Sequence, residues 1–328
     1  MNSQVINETV NPKEEGTRLD RWVKRRLNVT QGQIEKLLRS GQIRVDGSRA
    51  KANTRLEAGM VVRLPPLHQP TAAEKKARSA STASAKDEQF MREMVIYEDD
   101  DMFALNKPAG IAVQGGTKQG GRHIDGMLEA FRNQKGEKPR LVHRIDRDTS
   151  GILVVAKTRG AAQKLTASFR ERDTQKTYWA LVKGTPKKRE GRISNWLVKE
   201  STPDGDKMRI GKHGEQGADH AVSEYRLVES AGPVSWLVME PHTGRTHQLR
   251  VHAVSIGCPI LGDPKYFEED PNWEFPGGMQ KKLHLHARRI VIPHPDGGVI
   301  NVTAPLPPHM VQSWNLLGFD EADADKEE

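Results

Sequence analysis

The sequence of 328 residues has little of several features that define common protein classes. It contains one cysteine, Cys258, so an intrachain disulfide and a zinc site built from paired cysteines are both excluded. No apolar run approaches the roughly 20 residues that a membrane-spanning helix needs. The first residues show no apolar stretch after a basic start, so no signal peptide is predicted. These absences together favour a protein of the reducing cytoplasm.

Positive charge is abundant and unevenly distributed. The formal net charge is +8. Residues 1–66 hold 13 Lys and Arg against 7 Asp and Glu, whereas the stretch 320–328 holds 6 acids and one lysine. A basic body with an acidic tail favours a polyanionic partner, and it favours a nucleic acid over a membrane surface.

Several familiar site patterns are incomplete. The glycine-rich segment GGTKQGGR at 115–122 lacks the Lys-Ser/Thr ending of a phosphate-binding loop, and Ser150 lies in DTSG rather than GxSxG. His242, His247 and His252 recur every five residues. That spacing puts them on different faces of a helix or a strand, which disfavours a metal site. Neither a nucleotide-binding loop, a serine-hydrolase elbow nor a metal centre is therefore predicted.

The segment HRIDRDTSG at 143–151 packs two arginines and two aspartates into six positions, directly before the apolar run 152–156. A solvated turn and an active-site loop at the edge of a sheet both fit this pattern. Asp146 and Asp148 are unsuited to act as a glycosidase pair, because residues two apart in one turn rarely flank a sugar from opposite sides. A single carboxylate remains the best chemical candidate.

The N-terminal part reads as a small basic domain. Residues 17–27, TRLDRWVKRRL, place apolar side chains at helical spacing, and a second helix is predicted over 31–39. The segments QIRVDG (42–47) and MVVRLPP (60–66) predict two strands of a hairpin. Two basic helices ahead of a hairpin predict a compact unit of about 50 residues.

Farther along, short apolar strands alternate with turn signals, and helices are predicted around 124–134 and 159–172. This order predicts an α+β fold with a mixed, largely antiparallel sheet, preceded by the small αα-hairpin domain. The predicted organisation is a disordered N-terminus (1–15), the small basic domain (16–66), a flexible linker (67–90), the main domain (91–318) and an acidic disordered tail (319–328).

Two sets of motifs then resemble known families. LDRWVKRRL and LLRSGQIRVDG resemble the S4 RNA-binding module. Five later segments resemble the motifs of RluA-type pseudouridine synthases, in the family's order: LNKPAG (105–110), LVHRIDRDTSGILVVAK (141–157), KTYWALVKG (176–184), TGRTHQLRVH (243–252) and LHLHARRI (283–290). One departure is GDPKYFEED (262–270), where the family usually has glycine after the tyrosine, and this puts a rim loop in doubt.

The resemblance implies an enzyme that breaks the N1–C1′ bond of a uridine, rotates the base and rejoins it through C5, without a metal or any other cofactor. It implies Asp146 as the catalytic carboxylate, with Arg245 as its ionic partner. Because the uridine must leave the base stack, the resemblance implies that Arg144 occupies the vacated space. Tyr178 would stack on the flipped base, and Leu249 would close the apolar side of the pocket.

Further residues are expected to support the site or to contact RNA. Lys107 and Pro108 are expected to shape a turn beneath the site. Lys107 is also expected to contact RNA. His143 is expected to support the loop. If the S4 resemblance holds, the residues that meet phosphates are Arg18, Arg21, Lys24, Arg25, Lys36 and Arg39. Such contacts give salt-dependent affinity and little sequence choice.

The motifs are most similar to those of the family's large-subunit ribosomal RNA enzymes, so that RNA is the expected partner and the protein is expected to be a monomer. RluD-like targets or tRNA remain open. The sequence also leaves open whether Asp146 attacks C1′, adds to the base or removes a proton. A non-catalytic S4 RNA-binding protein and a glycoside hydrolase are the competing classes. The joint presence of Asp146, Tyr178 and Arg245 argues against the first, and the missing second acid argues against the other.

Overall fold

In the computed structural model the chain divides into two compact units, which are residues 1–82 with 115–121, and residues 83–114 with 122–328. None of the described helices has the length and apolar character to cross a membrane. The structure describes residues 6–27, 29, 31–65, 85–115, 122–133, 136–171, 173–202, 205–268 and 273–326. The glycine-rich segment 116–121 and most of the expected linker therefore lie outside the described residues.

Within its described residues, the first unit has two α-helices and a three-stranded sheet. Apolar side chains at helical spacing in both helices, with strand residues such as Val62 and Leu64, form one buried cluster around Trp22. The strand order is β1-β3-β2, with antiparallel pairing throughout. The elements are β1 (Ile6–Thr9), α1 (Leu19–Arg26), α2 (Gln31–Arg39), β2 (Arg44–Val45) and β3 (Val61–Leu64). Both predicted helices and the predicted strand pair are therefore present.

The prediction that residues 1–15 are disordered is wrong from residue 6 onward. Strand β1 pairs with β3, so the backbone groups on that side of the strand are hydrogen-bonded within the sheet. Glu14 accepts a hydrogen bond from Trp22 Nε1 at 3.0 Å and forms an ion pair with Arg26. These contacts hold the N-terminal segment against α1. No local sequence pattern predicts them.

The second unit is built on an 11-stranded sheet. Its helices are α3 (Ala85–Glu93), α4 (Ile124–Met127), α5 (Arg159–Glu171), α6 (Gln248–Ser255) and α7 (Pro308–Leu317). Its strands are β4 (Val95–Glu98), β5 (Met102–Lys107), β6 (Arg140–Leu141), β7 (Ser150–Ala156), β8 (Gln175–Lys183), β9 (Glu190–Thr202), β10 (Gly205–Gly211), β11 (Asp219–Ala231), β12 (Val234–Pro241), β13 (Leu285–Pro293) and β14 (Val299–Thr303). The central order is β10-β9-β11-β12-β8-β13-β7-β5-β4, with β14 on β13 and β6 on β7. Only β7 and β13 pair in parallel among the described strands, which confirms the predicted mixed, largely antiparallel α+β fold.

Two boundaries expected for the main domain need correction. Helix α3 occupies the end of the expected linker, because Met91 is buried in the cluster that also contains residues of β5 and β7. The expected disordered tail is ordered as far as residue 326. Phe319 and Ala324 are buried, and Arg226 of β11 donates a hydrogen bond to the Ala324 carbonyl.

Gly151 marks the point where the charged loop enters the sheet. Its φ is +104°, and a Cβ there would lie 2.3 Å from the backbone oxygen of Ala287 on the parallel neighbour β13. No side chain fits this close approach of two backbones. The small residue in the DTSG turn is therefore a structural requirement.

We expect Gly151→Ala to lower the free energy of unfolding by about 2 kcal/mol more than Gly297→Ala does. Gly297 has nearly the same φ, +103°, but no atom lies within 4 Å of the point that its Cβ would occupy. The control therefore reports backbone strain alone, and the difference reports the clash with β13. Urea denaturation of both variants measures this, and equal losses would contradict the close-approach argument.

Two histidines at the start of β13 are buried in neutral form. His284 Nε2 lies 2.8 Å from Ser313 Oγ, and His286 Nδ1 lies 2.9 Å from Ser150 Oγ. Burial lowers the pKa of His284 to about 4 and that of His286 to about 3. Below the ordinary histidine value of 6.5, the unfolded chain therefore binds protons that the folded chain does not.

The free energy of unfolding is accordingly expected to fall as the pH drops from 6.5, with each such histidine contributing about 1.4 kcal/mol per pH unit. His286→Gln should reduce this slope, because glutamine does not titrate. His213→Gln, at an exposed position, is the matched control for the replacement of a histidine by glutamine. Urea denaturation at a series of pH values measures all three proteins, and an unchanged slope in His286→Gln would refute the assignment.

Candidate active site

The charged loop 142–149 leaves β6 and enters β7, and it is fixed from below by the segment LNKPAG. Lys107, at the end of β5, donates hydrogen bonds from Nζ to the carbonyls of Pro108, Ile111 and Arg147 at 2.8, 3.0 and 3.0 Å. The backbone N–H of Gly110 also donates to the Arg147 carbonyl, at 2.9 Å. The first motif therefore supports the turn that carries Asp146.

Lys107 is fully buried, so its expected contact with RNA is wrong. Burial lowers the pKa of Lys107 to about 7, while the negative charges of Asp148 and Asp146 oppose this shift. The three carbonyl acceptors match the three N–H donors of an ammonium group. The expectation that Lys107 shapes the turn beneath the site agrees with these contacts.

His143 holds the other side of the loop. Its Nε2 accepts a hydrogen bond from the backbone N–H of Val154 at 2.8 Å, and its ring stacks on Phe169 with 4.3 Å between centroids. Burial lowers the pKa of His143 to about 3, with a further contribution from the nearby Lys176 charge. A neutral ring with an occupied Nε2 supports the loop, in line with expectation.

Asp146 projects from the loop toward Arg250 on α6. Arg250 is bound in a bidentate manner by the buried Asp263, at 2.7 and 2.6 Å, and its Nη1 lies 3.5 Å from the Asp146 carboxylate. The planar guanidinium is thus held by one carboxylate and presents its remaining edge to the other. The Asp146 side chain keeps 25% of its surface exposed, so a ligand can still reach it.

The predicted pairing of Asp146 with Arg245 is therefore wrong. Arg245 lies before α6 and forms an ion pair with Asp219 at 3.7 Å, and its Nε donates to the His220 carbonyl at 3.2 Å. Helix α6 begins at residue 248 and brings the second arginine of TGRTHQLRVH, rather than the first, to the carboxylate.

A cleft of about 580 Å³ opens above Asp146. It is lined by Arg144, Tyr178, Arg245 and Leu249 among others, so four of the predicted site residues meet around the carboxylate. Arg144 is exposed and donates from Nη2 to Thr246 Oγ1 at 2.7 Å. Its guanidinium is therefore accessible to a ligand in the cleft.

Tyr178 and Leu249 contribute apolar surface to this cleft. Leu249 is buried, and half-buried Tyr178 packs against the same core cluster. Burial, with a contribution from the Asp146 charge, raises the pKa of Tyr178. The ring therefore stays a neutral phenol that can stack on a planar ligand.

The start of α6 is fixed by Gln248, which is buried. Its side-chain oxygen accepts from Thr243 Oγ1 at 2.7 Å, and its nitrogen donates to the Val222 carbonyl at 2.9 Å and to Ser223 Oγ at 2.8 Å. These bonds join the helix to β11. The position of Arg250 relative to the loop is thus set by the sheet.

Three residues of this site were not identified from the sequence: Arg250, Asp263 and Tyr266. Arg250 stands in the quoted motif TGRTHQLRVH, and the other two stand in GDPKYFEED, the segment noted for its departure from the family. The Tyr266 ring lies 5.0 Å from the Arg250 guanidinium, and its hydroxyl is 2.8 Å from His247 Nδ1. A single sequence does not show that Arg250 and Asp263 form an ion pair. The only signal for these three residues is that they stand in the two quoted segments.

The three evenly spaced histidines are separated in space. His242 is exposed and lies 3.2 Å from Glu224, whereas His252 is buried with Nδ1 at 3.0 Å from Ser223 Oγ. Across the described ranges, no group of three or more His, Cys, Asp or Glu side chains is placed to hold a metal ion.

In the first unit, five of the six basic residues predicted to meet phosphates are exposed: Arg21, Lys24, Arg25, Lys36 and Arg39. Arg18 is half-buried and pairs with Asp20 at 2.6 Å. The adjacent Arg26 has a different role, because its guanidinium stacks on Trp22 at 3.6 Å and pairs with Glu14.

Comparison with known families agrees with both units. The family model described as RNA pseudouridylate synthase matches residues 101–255, and the S4 domain model matches residues 17–62. The first match contains the loop, Tyr178 and Arg250, and the second contains both basic helices.

Relatives match over nearly their whole length. A protein of Vibrio cholerae serotype O1 named ribosomal large subunit pseudouridine synthase C is 35% identical over 306 residues, covering 92% of this chain and 93% of the relative. A protein of the same name from Pasteurella multocida is 35% identical, with 96% of each chain covered. The solved structure of human RNA pseudouridylate synthase domain containing 4 has a TM-score of 0.58 at 28% identity, covering 70% of this chain and 95% of that one. The chain therefore belongs to the RNA pseudouridylate synthase family and is an RluA-type pseudouridine synthase with an S4 domain.

Proposed function

We propose that this enzyme converts specific uridines of large-subunit ribosomal RNA to pseudouridine, with Asp146 as the catalytic carboxylate. The observation that carries the proposal is the cleft in which Asp146 faces Arg250 beside Tyr178 and Arg144. The ribosomal substrate is supported by the names of the relatives that match along the chain.

The reaction needs the target base outside the RNA stack. A flipped uridine entering the cleft would lie against the Tyr178 ring, whose face tolerates rotation of the base in its own plane. Leu249 would limit the pocket on the apolar side. Arg144 would leave Thr246 and stack in the space that the base vacates, since a guanidinium both stacks and donates hydrogen bonds.

The chemistry is an isomerisation. The N1–C1′ bond breaks, the freed base turns, and C5 forms the new bond to C1′. The hydrogen on C5 then leaves as a proton and N1 gains a proton, so atoms and electrons balance without a co-reactant. Asp146 would act on the sugar or the base in these steps, and Arg250 would keep the carboxylate oriented through its fixed Nη1.

The exposed basic residues of α1 and α2 would contact RNA phosphates and so help to place the substrate. In one variant Arg21, Lys24 and Arg25 are all changed to Gln. We expect this variant to bind rRNA more weakly. The slope of log K against log salt concentration should be smaller in magnitude by up to about three. Glu35→Gln on exposed α2 surface is the control and should not weaken binding. Filter binding at several salt concentrations measures both, and an unchanged slope in the triple variant would contradict the phosphate assignment.

We further propose that the enzyme works as a cytoplasmic monomer.

The substrate test is pseudouridine mapping on unmodified large-subunit rRNA and bulk tRNA incubated with the full chain and no cofactor. New sites in the rRNA alone are expected. Sites in tRNA alone would overturn the substrate assignment while keeping the reaction, and no site in either RNA would overturn the proposed function.

A further inference from the structure

Tyr266 and His247 form a hydrogen-bonded pair at the cleft. The Tyr266 hydroxyl oxygen lies 2.7 Å from the backbone nitrogen of Met208 and 2.8 Å from His247 Nδ1. A backbone N–H can only donate, so the tyrosine oxygen accepts from Met208, and its own O–H is free to donate to His247 Nδ1. When Nδ1 accepts this hydrogen bond, a neutral imidazole carries its hydrogen on Nε2.

The two groups are neutral at neutral pH. Burial lowers the pKa of His247, although the Asp146 charge opposes this shift, and burial raises the pKa of Tyr266. His247 and Asp146 line the same cleft. Within the described part of the chain, no hydrogen-bond partner occupies Nε2 of His247, so this N–H remains available to a ligand.

The backbone at His247 is also unusual. Its φ is +53°, and among the described non-glycine residues only Asp46 shares a positive φ. A left-handed residue that is not glycine is held there by its surroundings. Here the adjacent Gln248 is anchored to β11, and Tyr266 bonds the His247 ring. The ring is therefore fixed at the start of α6, next to the carboxylate that the proposed function requires.

We infer that His247 donates its Nε2–H to a carbonyl oxygen of the flipped uracil, and that Tyr266 is a positioning residue that fixes this tautomer. The inference rests on the proposed function. A neutral donor suits the neutral uracil carbonyl, whereas Arg144 is proposed to fill the vacated base position and the cation Arg245 on the same cleft suits a phosphate oxygen. The donor would orient the base while Tyr178 stacks on its face.

The first test reads the tautomer directly by nitrogen-15 NMR of histidine-labelled full chain without RNA. The wild type should show His247 protonated on Nε2. Tyr266→Phe removes the hydroxyl and should populate the form protonated on Nδ1. A wild-type ring protonated on Nδ1 would overturn the assignment, whatever the enzyme's substrate.

The second test uses His247→Asn, since asparagine tolerates a positive φ and has no group at the Nε2 position. RNAs carrying uridine, 2-thiouridine or 4-thiouridine at the target are compared by kcat/KM, because sulfur is a weaker hydrogen-bond acceptor than oxygen. The wild type should be slowed roughly tenfold by one of the two thio substitutions, and His247→Asn should lose that discrimination.

The outcomes separate this inference from the proposed function. His247→Asn could lower kcat/KM by the same factor for all three RNAs and so keep the wild-type discrimination. In that case His247 is structural, and the inference fails while the proposed function stands. If the wild type leaves the uridine RNA unmodified, the proposed function fails and takes the inference with it. Partial recovery by His247→Gln, whose amide nitrogen reaches farther than that of asparagine, would further support a donor at the Nε2 position.

Discussion

Replacing Asp146 by Asn is expected to slow pseudouridine formation by at least roughly 10²–10⁴-fold. The amide has nearly the shape of the carboxylate but lacks its charge and its capacity to act as a nucleophile or base. Asp146 is 25% exposed and its carboxylate lies 3.5 Å from Arg250 Nη1, and such a partly exposed, long contact contributes little to stability. We therefore expect a folded variant whose single-turnover rate on rRNA is lost.

Asp148→Asn is the matched control, because it changes the same atoms two residues away in the same turn. Asp148 forms its ion pair with Arg147 at 3.0 Å, where both side chains meet solvent, and such pairs contribute little. Its rate should stay within a few-fold of the wild-type rate. Equal rates for Asp146→Asn and wild type would remove Asp146 from the chemistry, and equal losses in both variants would reduce its role to general charge in the loop.

One feature of the site and one helix of the first unit follow from local sequence. The charged turn followed by an apolar strand placed Asp146 at the entry to the sheet, and the periodicity of 31–39 gave a helix with its observed bounds. Both features depend on neighbours within a few residues. The presence of Tyr178 and Leu249 in one site was implied by the resemblance to pseudouridine synthases, and both residues line the cleft with Asp146.

The errors concern contacts between distant parts of the chain. Whether Arg245 or Arg250 faces Asp146 depends on where α6 begins and on Asp263, which holds Arg250 from 13 residues farther along. Lys107 was counted among the RNA contacts, but it is fully buried, which is rare for a lysine. Its three carbonyl acceptors include that of Arg147, 40 residues away, which composition and periodicity do not indicate. Strand β1 likewise becomes ordered only by pairing with β3.

The buried Arg250–Asp263 pair gives the largest expected effect on stability. Arg250→Met should lower the free energy of unfolding by about 3–5 kcal/mol, because it leaves the Asp263 carboxylate buried without its partner. The same variant removes the group that orients Asp146, so activity should be lost as well. Urea denaturation and single-turnover kinetics measure the two effects, and a loss below about 1 kcal/mol would contradict the account of a buried pair.

The double variant Arg250→Met with Asp263→Asn separates the two roles of Arg250. Asparagine removes the unpaired charge but keeps an oxygen that can accept from the backbone N–H groups of Lys265 and Tyr266. Stability should therefore return in large part, whereas activity should not, because nothing replaces Nη1 opposite Asp146. If stability and activity returned together, Arg250 would act only through the fold. If stability returned alone, the guanidinium would be established as the group that holds the catalytic carboxylate in position.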